Sequence, residues 1–418
     1  MDPLFNPFTP GAGSQPPELV GRSSVLSAAT TALARIKKRR HSRSILLYGL
    51  RGVGKTVLLN RIRKLADEAG YHTAPLEAPE ERRLAELLAP PLRRLILQLD
   101  IGEGAKEKVR QALSALRAFA SVFDVKIGDV GIGVKPAPGI ADSGALDSDL
   151  GDLLAAVGEA AAERSAAVAI LIDELQDVGE RELAALLGGL HRVGQLNLPL
   201  VMFGAGLPQM VGLTGKAKSY AERLFDFMEI GPLGNADACK AIREPVEHEG
   251  AAIEDTALQE ILAATEGYPY FLQEWGSHSW NQAAQSPITR ADVIAATSRA
   301  IAALDKGFFR VRFDRLTPGE RTYLRAMAEL GRGSHRSGDI AAKLERAVEE
   351  VAPIRARIIA KGMAFASAHG HTDFTVPMFD AYMRRTIPEF IVPKKKKSKE
   401  KRPHDTQQLK STRARRRK

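Results

Sequence analysis

The sequence predicts an α/β fold in which a parallel sheet carries helices on its faces and a mostly helical half follows. Three short apolar runs, residues 45–48, 168–172 and 198–203, have the composition of strands buried on both faces of a parallel sheet. Helix-period patterns lie between them. Strands that alternate with helices in this way are typical of α/β proteins.

The first apolar run leads into residues 49–56, GLRGVGKT, which fit the phosphate-loop pattern G-x-x-x-x-G-K-[ST] at every fixed position. Glycines let successive backbone N–H groups point into one concavity, and a helix that begins near Lys55 aims its positive end at the same anion. Lys55 is expected to reach the β- and γ-phosphates of ATP, and the Thr56 hydroxyl to ligate Mg²⁺. A bare match also occurs in ordinary glycine turns, but the flanking strand and the amphipathic helix at 57–69 favour a nucleotide site. The predicted contacts are Gly49, Leu50, Arg51, Gly52, Val53, Gly54, Lys55, Thr56 and Val57.

The second apolar run ends in an acidic pair, Asp173 and Glu174. Asp173 is predicted to hold Mg²⁺ through water, and Glu174 to orient and deprotonate the attacking water. An acidic helix cap would look the same in isolation, but the upstream phosphate loop favours the catalytic interpretation. Because 118 residues separate Lys55 from Asp173, we expect an insertion at about residues 80–145, including a hairpin at 125–134.

The third apolar run is followed by Gly204-Ala205-Gly206, with Gln209 as the only nearby polar side chain. Without a polar group there to hold the γ-phosphate and the water, slow hydrolysis is expected. Arg223 is a candidate to enter a neighbouring subunit's site and stabilise transition-state charge. An ion pair with Glu222 or Asp226 is an equally good interpretation of Arg223.

The amino-acid composition limits the classes of protein to which the chain can belong. The 418 residues are enough for two or three domains, and the single cysteine, Cys239, excludes a disulfide framework within the chain and fits a cytoplasmic location. We expect no membrane span, no secretion signal and no metal chemistry beyond Mg²⁺. The net charge of +10 comes from residues 394–418, which carry net +11, so the body sums to −1. Such a tail is predicted to be disordered and to bind DNA backbone; a solubilising role or an anionic membrane surface are the alternatives.

The second half of the chain predicts a helical lid over residues 234–305 and then three helices followed by a β-hairpin. That order resembles a winged helix. Arg355, Arg357 and Lys361 on its third helix have a spacing suited to phosphate or base contacts, although winged helices also bind proteins.

Glu18 to Arg22, the phosphate loop, the Asp-Glu-x-Gln segment at 173–176 and Gly267-Tyr268-Pro269 together resemble bacterial AAA+ ATPases with an origin-recognition-complex-like, archaeal or STAND-related domain. The resemblance covers about residues 18–385 and implies a P-loop NTPase sheet in the order 5-1-4-3-2. It also implies an adenine pocket at Val20, Gly21 and Arg22, and a lid whose Pro269 lies near the nucleotide. Fast members usually carry a polar residue at 204–206 and a lid arginine, so motor activity is not expected here.

The sequence therefore predicts an irregular lead (1–17), an ATPase core (18–233), a lid (234–305), a winged-helix domain (306–390) and a disordered basic tail (391–418). The first functional hypothesis is an ATP- and Mg²⁺-dependent switch on DNA, with a homo-oligomer or a protein partner as a further expectation. The alternatives are a STAND-like signalling or defence ATPase whose winged helix contacts protein, and an ATPase helper of a mobile element or partner enzyme.

Overall fold

The computed structural model describes residues 1–11, 19–78, 83–100, 107–127, 139–219 and 221–392. Residues 128–134 of the predicted hairpin and residues 393–418 of the basic tail lie outside the described residues. The strands are β1 (Ser44–Tyr48), β2 (Tyr71–Glu77), β3 (Ala167–Asp173), β4 (Leu200–Gly206), β5 (Phe225–Glu229), β6 (His335–Arg336), β7 (Ala364–Phe365) and β8 (His371–Phe374).

The helices of the first half are α1 (Ser23–Lys37), α2 (Lys55–Glu68), α3 (Leu84–Leu99), α4 (Glu107–Val122), α5 (Leu146–Glu163), α6 (Glu180–Gln195), α7 (Gln209–Ala217) and α8 (Ala221–Leu224). Those of the second half are α9 (Asn235–His248), α10 (Asp255–Thr265), α11 (Pro269–Gln282), α12 (Arg290–Leu304), α13 (Arg310–Asp314), α14 (Pro318–Glu329), α15 (Ser337–Lys343), α16 (Val348–Ala360) and α17 (Phe379–Thr386).

The central sheet has the order β2-β3-β4-β1-β5, and every pairing in it is parallel. This confirms the predicted parallel α/β fold and its strand order. Every residue of β3 and β4 is buried, as expected for apolar strands in the middle of a sheet covered on both faces. The carboxyl ends of β1 and β3 therefore lie at one edge, separated only by β4.

The two faces of the sheet are covered by different sets of helices. One apolar cluster joins the strands to α1 and α2, and another joins them to α3, α4, α5 and α6. Pro90 and Pro91 would be expected to interrupt a helix, yet α3 continues through both prolines. Its leucines at 88, 92 and 95 are buried, so packing of the apolar face outweighs the lost backbone hydrogen bonds.

The second half forms one further apolar cluster, which runs from α9 through α12 and on into α14 and α17. Residues 1–11 pack on it: Phe8 is buried, and a Cβ at Gly276 of α11 would lie 2.7 Å from the Phe8 ring. A π-helical turn, Asp305–Phe309, connects α12 directly to α13. Beyond it, β6, β8 and β7 form a small antiparallel sheet against the helices α14 to α16.

Candidate functional site

The loop between β1 and α2 has the shape that its glycines predict. Gly52 and Gly54 have φ angles of +84° and +91°, in the left-handed region that favours glycine. A Cβ at Gly49 would lie 2.0 Å from the carbonyl oxygen of Ile230, so the loop also needs glycine for close packing. Nothing lies within 4 Å of a Cβ built at Gly54, which leaves open space at the beginning of α2. A helix amino terminus beside such a cradle suits an anion.

Lys55 points back into this loop from the first turn of α2. Its Nζ donates to the carbonyl oxygens of Gly49 and Leu50 at 3.0 and 2.9 Å, and the side chain is buried. Burial lowers the pKa of Lys55 to about 8, against the opposing attraction of Glu174 and Asp173. The ammonium of Lys55 is therefore shielded from water, and an anionic ligand would stabilise its charge.

Asp173 ends β3 and lies next to Thr56. Its carboxylate accepts a hydrogen bond from the Thr56 hydroxyl and another, at 2.8 Å, from the Glu174 amide. Burial raises the pKa of Asp173, and these two donors counteract the rise. A hydroxyl and a carboxylate in contact are hard oxygen ligands of the kind that Mg²⁺ prefers, so these residues fit that ion together with phosphate oxygens.

Glu174 follows in a left-handed conformation, with φ of +49°. Its Oε1 lies 3.6 Å from Arg51 Nη1, and its Oε2 accepts a hydrogen bond from Gln176 Nε2 at 2.5 Å. Gln176 Oε1 in turn accepts from the Leu207 amide at 3.0 Å. A Cβ at Gly206 would lie 3.0 Å from that same oxygen, so the glycine that ends β4 makes room for Gln176. The sequence names Gln176 in a motif but predicts no role for it.

Lys55, Thr56 and Glu174 border one cavity of about 450 Å³, a size typical of small-molecule sites. Of the predicted nucleotide contacts, those that line it are Val20, Arg22, Arg51, Gly52, Val53, Gly54, Lys55, Thr56, Val57 and Pro269, together with Glu174. The predicted contacts outside this lining are Gly21, Gly49, Leu50 and Asp173. Gly49 and Leu50 instead hold Lys55, and Gly21 has a φ of +70° beside Asp237. Arg22 donates to the carbonyl oxygens of Val53 and Gly231 at 3.2 and 2.6 Å, which links the phosphate loop to the segment after β5.

The second half of the chain supplies cavity residues that the sequence did not predict. Tyr270 donates its backbone N–H to the Gly52 carbonyl at 3.1 Å, and its ring stacks on Phe308 with centroids 4.6 Å apart. Phe308 and Arg312 line the same cavity. The backbone N–H of Arg51 donates to the Thr375 carbonyl at 3.1 Å. The phosphate loop is therefore in direct contact with residues more than 200 positions away in the chain.

Arg223 lies apart from this cavity, exposed on α8. Asp226, one of its two candidate partners, pairs with Arg43 at 3.1 Å. The structure therefore does not bring Arg223 to the site within its own chain.

The cations predicted for DNA contact on α16 have partners within the C-terminal segment. Arg355 donates to the Thr372 hydroxyl and the His371 carbonyl at 2.6 and 2.8 Å. Lys361, just past the helix, lies 2.7 Å from Glu320, and Arg357 lies 3.4 Å from the same buried carboxylate. Contact with DNA through these side chains would have to replace these interactions.

Within the described ranges, no group of three or more His, Cys, Asp or Glu side chains is arranged to hold a metal ion. None of the helices in the described part of the chain combines the length and apolarity that a membrane crossing requires.

Residues 18–203 match the family described as AAA ATPase domain, and residues 306–383 match a domain of unknown function, DUF8462. No curated protein matches the chain. With the sheet order and the phosphate loop, the first match shows that this part of the chain has a P-loop NTPase, AAA-like fold. The match to this family supports ATPase-type activity.

Several solved structures are similar to this chain over 88–91% of its length. The Walker-type ATPase PABY2304 of Pyrococcus abyssi is 15% identical, over 88% of this chain and 96% of that one, with a TM-score of 0.53. The Thermotoga maritima RuvB Holliday junction branch migration motor is 15% identical over 91% and 100%, with a TM-score of 0.44. The Aeropyrum pernix ORC1 protein in complex with DNA is 13% identical over 90% and 94%, with a TM-score of 0.42. At such identities the first likeness concerns the fold alone.

Proposed function

We propose that this AAA ATPase domain binds ATP with Mg²⁺, hydrolyses it slowly, and so acts as a nucleotide-dependent switch on DNA. One observation supports this most strongly. Lys55, Thr56 and Glu174 line one cavity, and the Thr56 hydroxyl bonds to Asp173 behind it. A phosphate-binding cation, two oxygen ligands and a general base are the parts that phosphoryl transfer to water requires.

Each residue has a separate role in the proposal. Lys55 exchanges its carbonyl partners for β- and γ-phosphate oxygens, and the loop amides hold the β-phosphate. Thr56 and Asp173 hold Mg²⁺, which neutralises charge on the phosphates when bound. Glu174 accepts a proton from the attacking water. Val20, Arg22 and Pro269 surround the base and sugar.

Slow hydrolysis follows from the surroundings of Glu174. Its two carboxylate oxygens are near Arg51 and Gln176, so the base must leave these partners before it can orient water. The last three residues of β4, at 204–206, are only glycine and alanine. No side chain at those three positions can therefore hold the γ-phosphate, and we expect turnover well below that of a motor.

The switch uses the contact between the phosphate loop and the C-terminal segment. Arg51 bonds to Thr375, and Gly362 lies close enough that a Cβ there would be 2.9 Å from Arg51 Nη2. A phosphate in the loop would compete for Arg51, so the position of residues 306–390, which we propose form a winged helix, would depend on the nucleotide. Residues 234–305 act as the lid between this domain and the core, 18–233.

The DNA partner is proposed from the basic tail rather than from α16. Residues 394–418 carry net +11, whereas Arg355, Arg357 and Lys361 have partners within the C-terminal segment. The tail would supply nonspecific backbone binding with steep salt dependence. We propose a cytoplasmic location, in keeping with the single cysteine. Arg223 is exposed and lies away from the nucleotide site of its own chain, so it would act in the site of a neighbouring copy.

A STAND-like signalling ATPase is the second candidate, and the same contacts favour it. The C-terminal segment bonds to the phosphate loop, and its cations pair with groups of the same segment. Such a segment would be held in a closed position by the nucleotide and would bind a protein rather than DNA. In that case the tail alone would account for DNA binding, and ATP would not change the binding that remains without it.

The test is ATP turnover by wild type, Lys55→Ala and Glu174→Gln, each with and without duplex DNA. Lys64→Ala, an exposed lysine on the same helix, is the matched control. We expect slow turnover that both site variants abolish, that the control retains, and that DNA changes. Unaltered turnover in Lys55→Ala would refute the site. If DNA does not change the rate of ATP turnover, and ATP does not change the binding of DNA, the signalling candidate would be favoured.

A further inference from the structure

We propose that Arg312, which belongs to the segment matching the domain of unknown function, binds the terminal phosphate of the nucleotide in this cavity. The proposal rests on the proposed function, since it requires ATP at the phosphate loop. It assigns to residues 306–383 a direct part in the nucleotide site, beyond the contacts that hold them against the core.

The position of Arg312 is fixed by a continuous series of contacts that begins at the phosphate loop. Tyr270 bonds to the Gly52 carbonyl and stacks on Phe308, whose ring tip lies 3.8 Å from a Cβ built at Gly52. The Arg312 guanidinium lies over the other side of this aromatic pair, 4.1 Å from the Phe308 centroid, and donates to the Phe308 carbonyl.

The backbone supports this placement. The helix α12 continues through the π-helical turn into α13, so Phe308 and Arg312 are one turn apart on an unbroken helical segment. π-Helical turns inside longer helices often occur at functional sites. Here the turn brings both side chains to the cavity that Lys55 and Thr56 line.

The charge of Arg312 has no matching carboxylate. Its neighbours on the same segment are paired: Arg310 lies 3.6 Å from Asp314, and Asp305 lies 2.6 Å from Arg385. Among the described residues, no carboxylate lies within 4.0 Å of the Arg312 guanidinium. Burial and the repulsion of Arg51 lower the pKa of Arg312 to about 10, with Tyr270 and Glu174 opposing. A partly buried guanidinium that lines such a cavity and has no carboxylate partner is suited to bind an anion, such as a phosphate group.

The end of the nucleotide that Arg312 would meet follows from its neighbours. Its guanidinium stacks on Phe308, whose ring lies beside Gly52 of the phosphate loop, and it shares the cavity lining with Glu174. Because Glu174 is placed to orient water at the terminal phosphate, Arg312 on that side would contact the γ-phosphate. ATP would then join the C-terminal segment to the loop through a bond that ADP cannot make.

The test compares the affinities of the full chain for a non-hydrolysable ATP analogue and for ADP, both with Mg²⁺. Arg312→Ala should weaken the ATP analogue about 10- to 100-fold, the range for a lost charge-assisted hydrogen bond. Its affinity for ADP should stay within about threefold. Arg310→Ala, on the same helix but exposed, is the control and should change neither.

Arg312→Lys is the second variant, for the case that the alanine variant does not fold. It keeps the positive charge but loses the planar fork, so the ATP analogue should weaken about 3- to 10-fold with ADP unchanged. Equal losses for both nucleotides, or none for either, in a folded variant would overturn the assignment to the terminal phosphate. If wild type binds neither nucleotide, or Lys55→Ala binds both as wild type does, the proposed function itself is wrong.

Discussion

Raising the pH from 7 to 9 should weaken binding of a non-hydrolysable ATP analogue, because the ammonium of Lys55 loses its proton within this range. Burial lowers the pKa of Lys55 to about 8 from its ordinary value of 10.5. The phosphates require the protonated form, so binding selects the charged fraction. That fraction falls from about nine-tenths at pH 7 to about one-tenth at pH 9. Affinity should therefore fall about tenfold.

The same linkage predicts uptake of protons on binding. About half a proton should be taken up per ATP analogue at pH 8, rising towards one at pH 9. Calorimetric titrations at each pH, in two buffers with different ionisation enthalpies, measure both the affinity and the proton uptake. The raised pKa values of Tyr268 and Tyr270, about 12 in each case, keep those phenols neutral throughout. Equal affinities at pH 7 and 9 with no proton uptake would refute this account of Lys55.

Three further predictions concern the parts around the site. Glu320→Gln keeps the capping-box shape but removes the buried charge that faces Lys361, so the free energy of unfolding in urea should fall by about 2 kcal/mol. Phe8→Ala should release residues 1–11 from α11, with a loss of up to about 3 kcal/mol and faster hydrogen exchange of the Thr9 amide, which bonds to Gln273; unchanged exchange would contradict this packing. Removal of residues 394–418 should lower duplex DNA affinity and reduce the slope of log affinity against log salt by about 5 or more; an unchanged slope would place DNA binding elsewhere.

The sequence predicts well those features that depend on short, continuous stretches of residues. The loop at 49–56 and the acidic pair at Asp173 each follow an apolar strand. In a parallel sheet, the carboxyl ends of the strands meet at one edge. The convergence of Lys55 with Asp173 could therefore be predicted without knowing any long-range contact, whereas the strand order was implied by the resemblance to AAA+ ATPases.

The features that the sequence did not predict depend on contacts between distant segments. The bond from Arg51 to Thr375 spans 324 positions, and nothing in either neighbourhood indicates it. Arg312 lies beyond a π-helical turn, whose altered phase hides it from a helix-period analysis. Gln176 gains its role only because Gly206 leaves it space. Local patterns thus predicted the phosphate-binding half of the site and missed the half that the C-terminal segment supplies.

The most direct test is an experimental structure of the full chain with a non-hydrolysable ATP analogue and Mg²⁺. The account predicts β- and γ-phosphate oxygens within about 3 Å of Lys55 Nζ, and the magnesium on the Thr56 hydroxyl with Asp173 behind it. A nucleotide bound elsewhere, or one at this loop with Lys55 still bonded to Gly49 and Leu50, would contradict it.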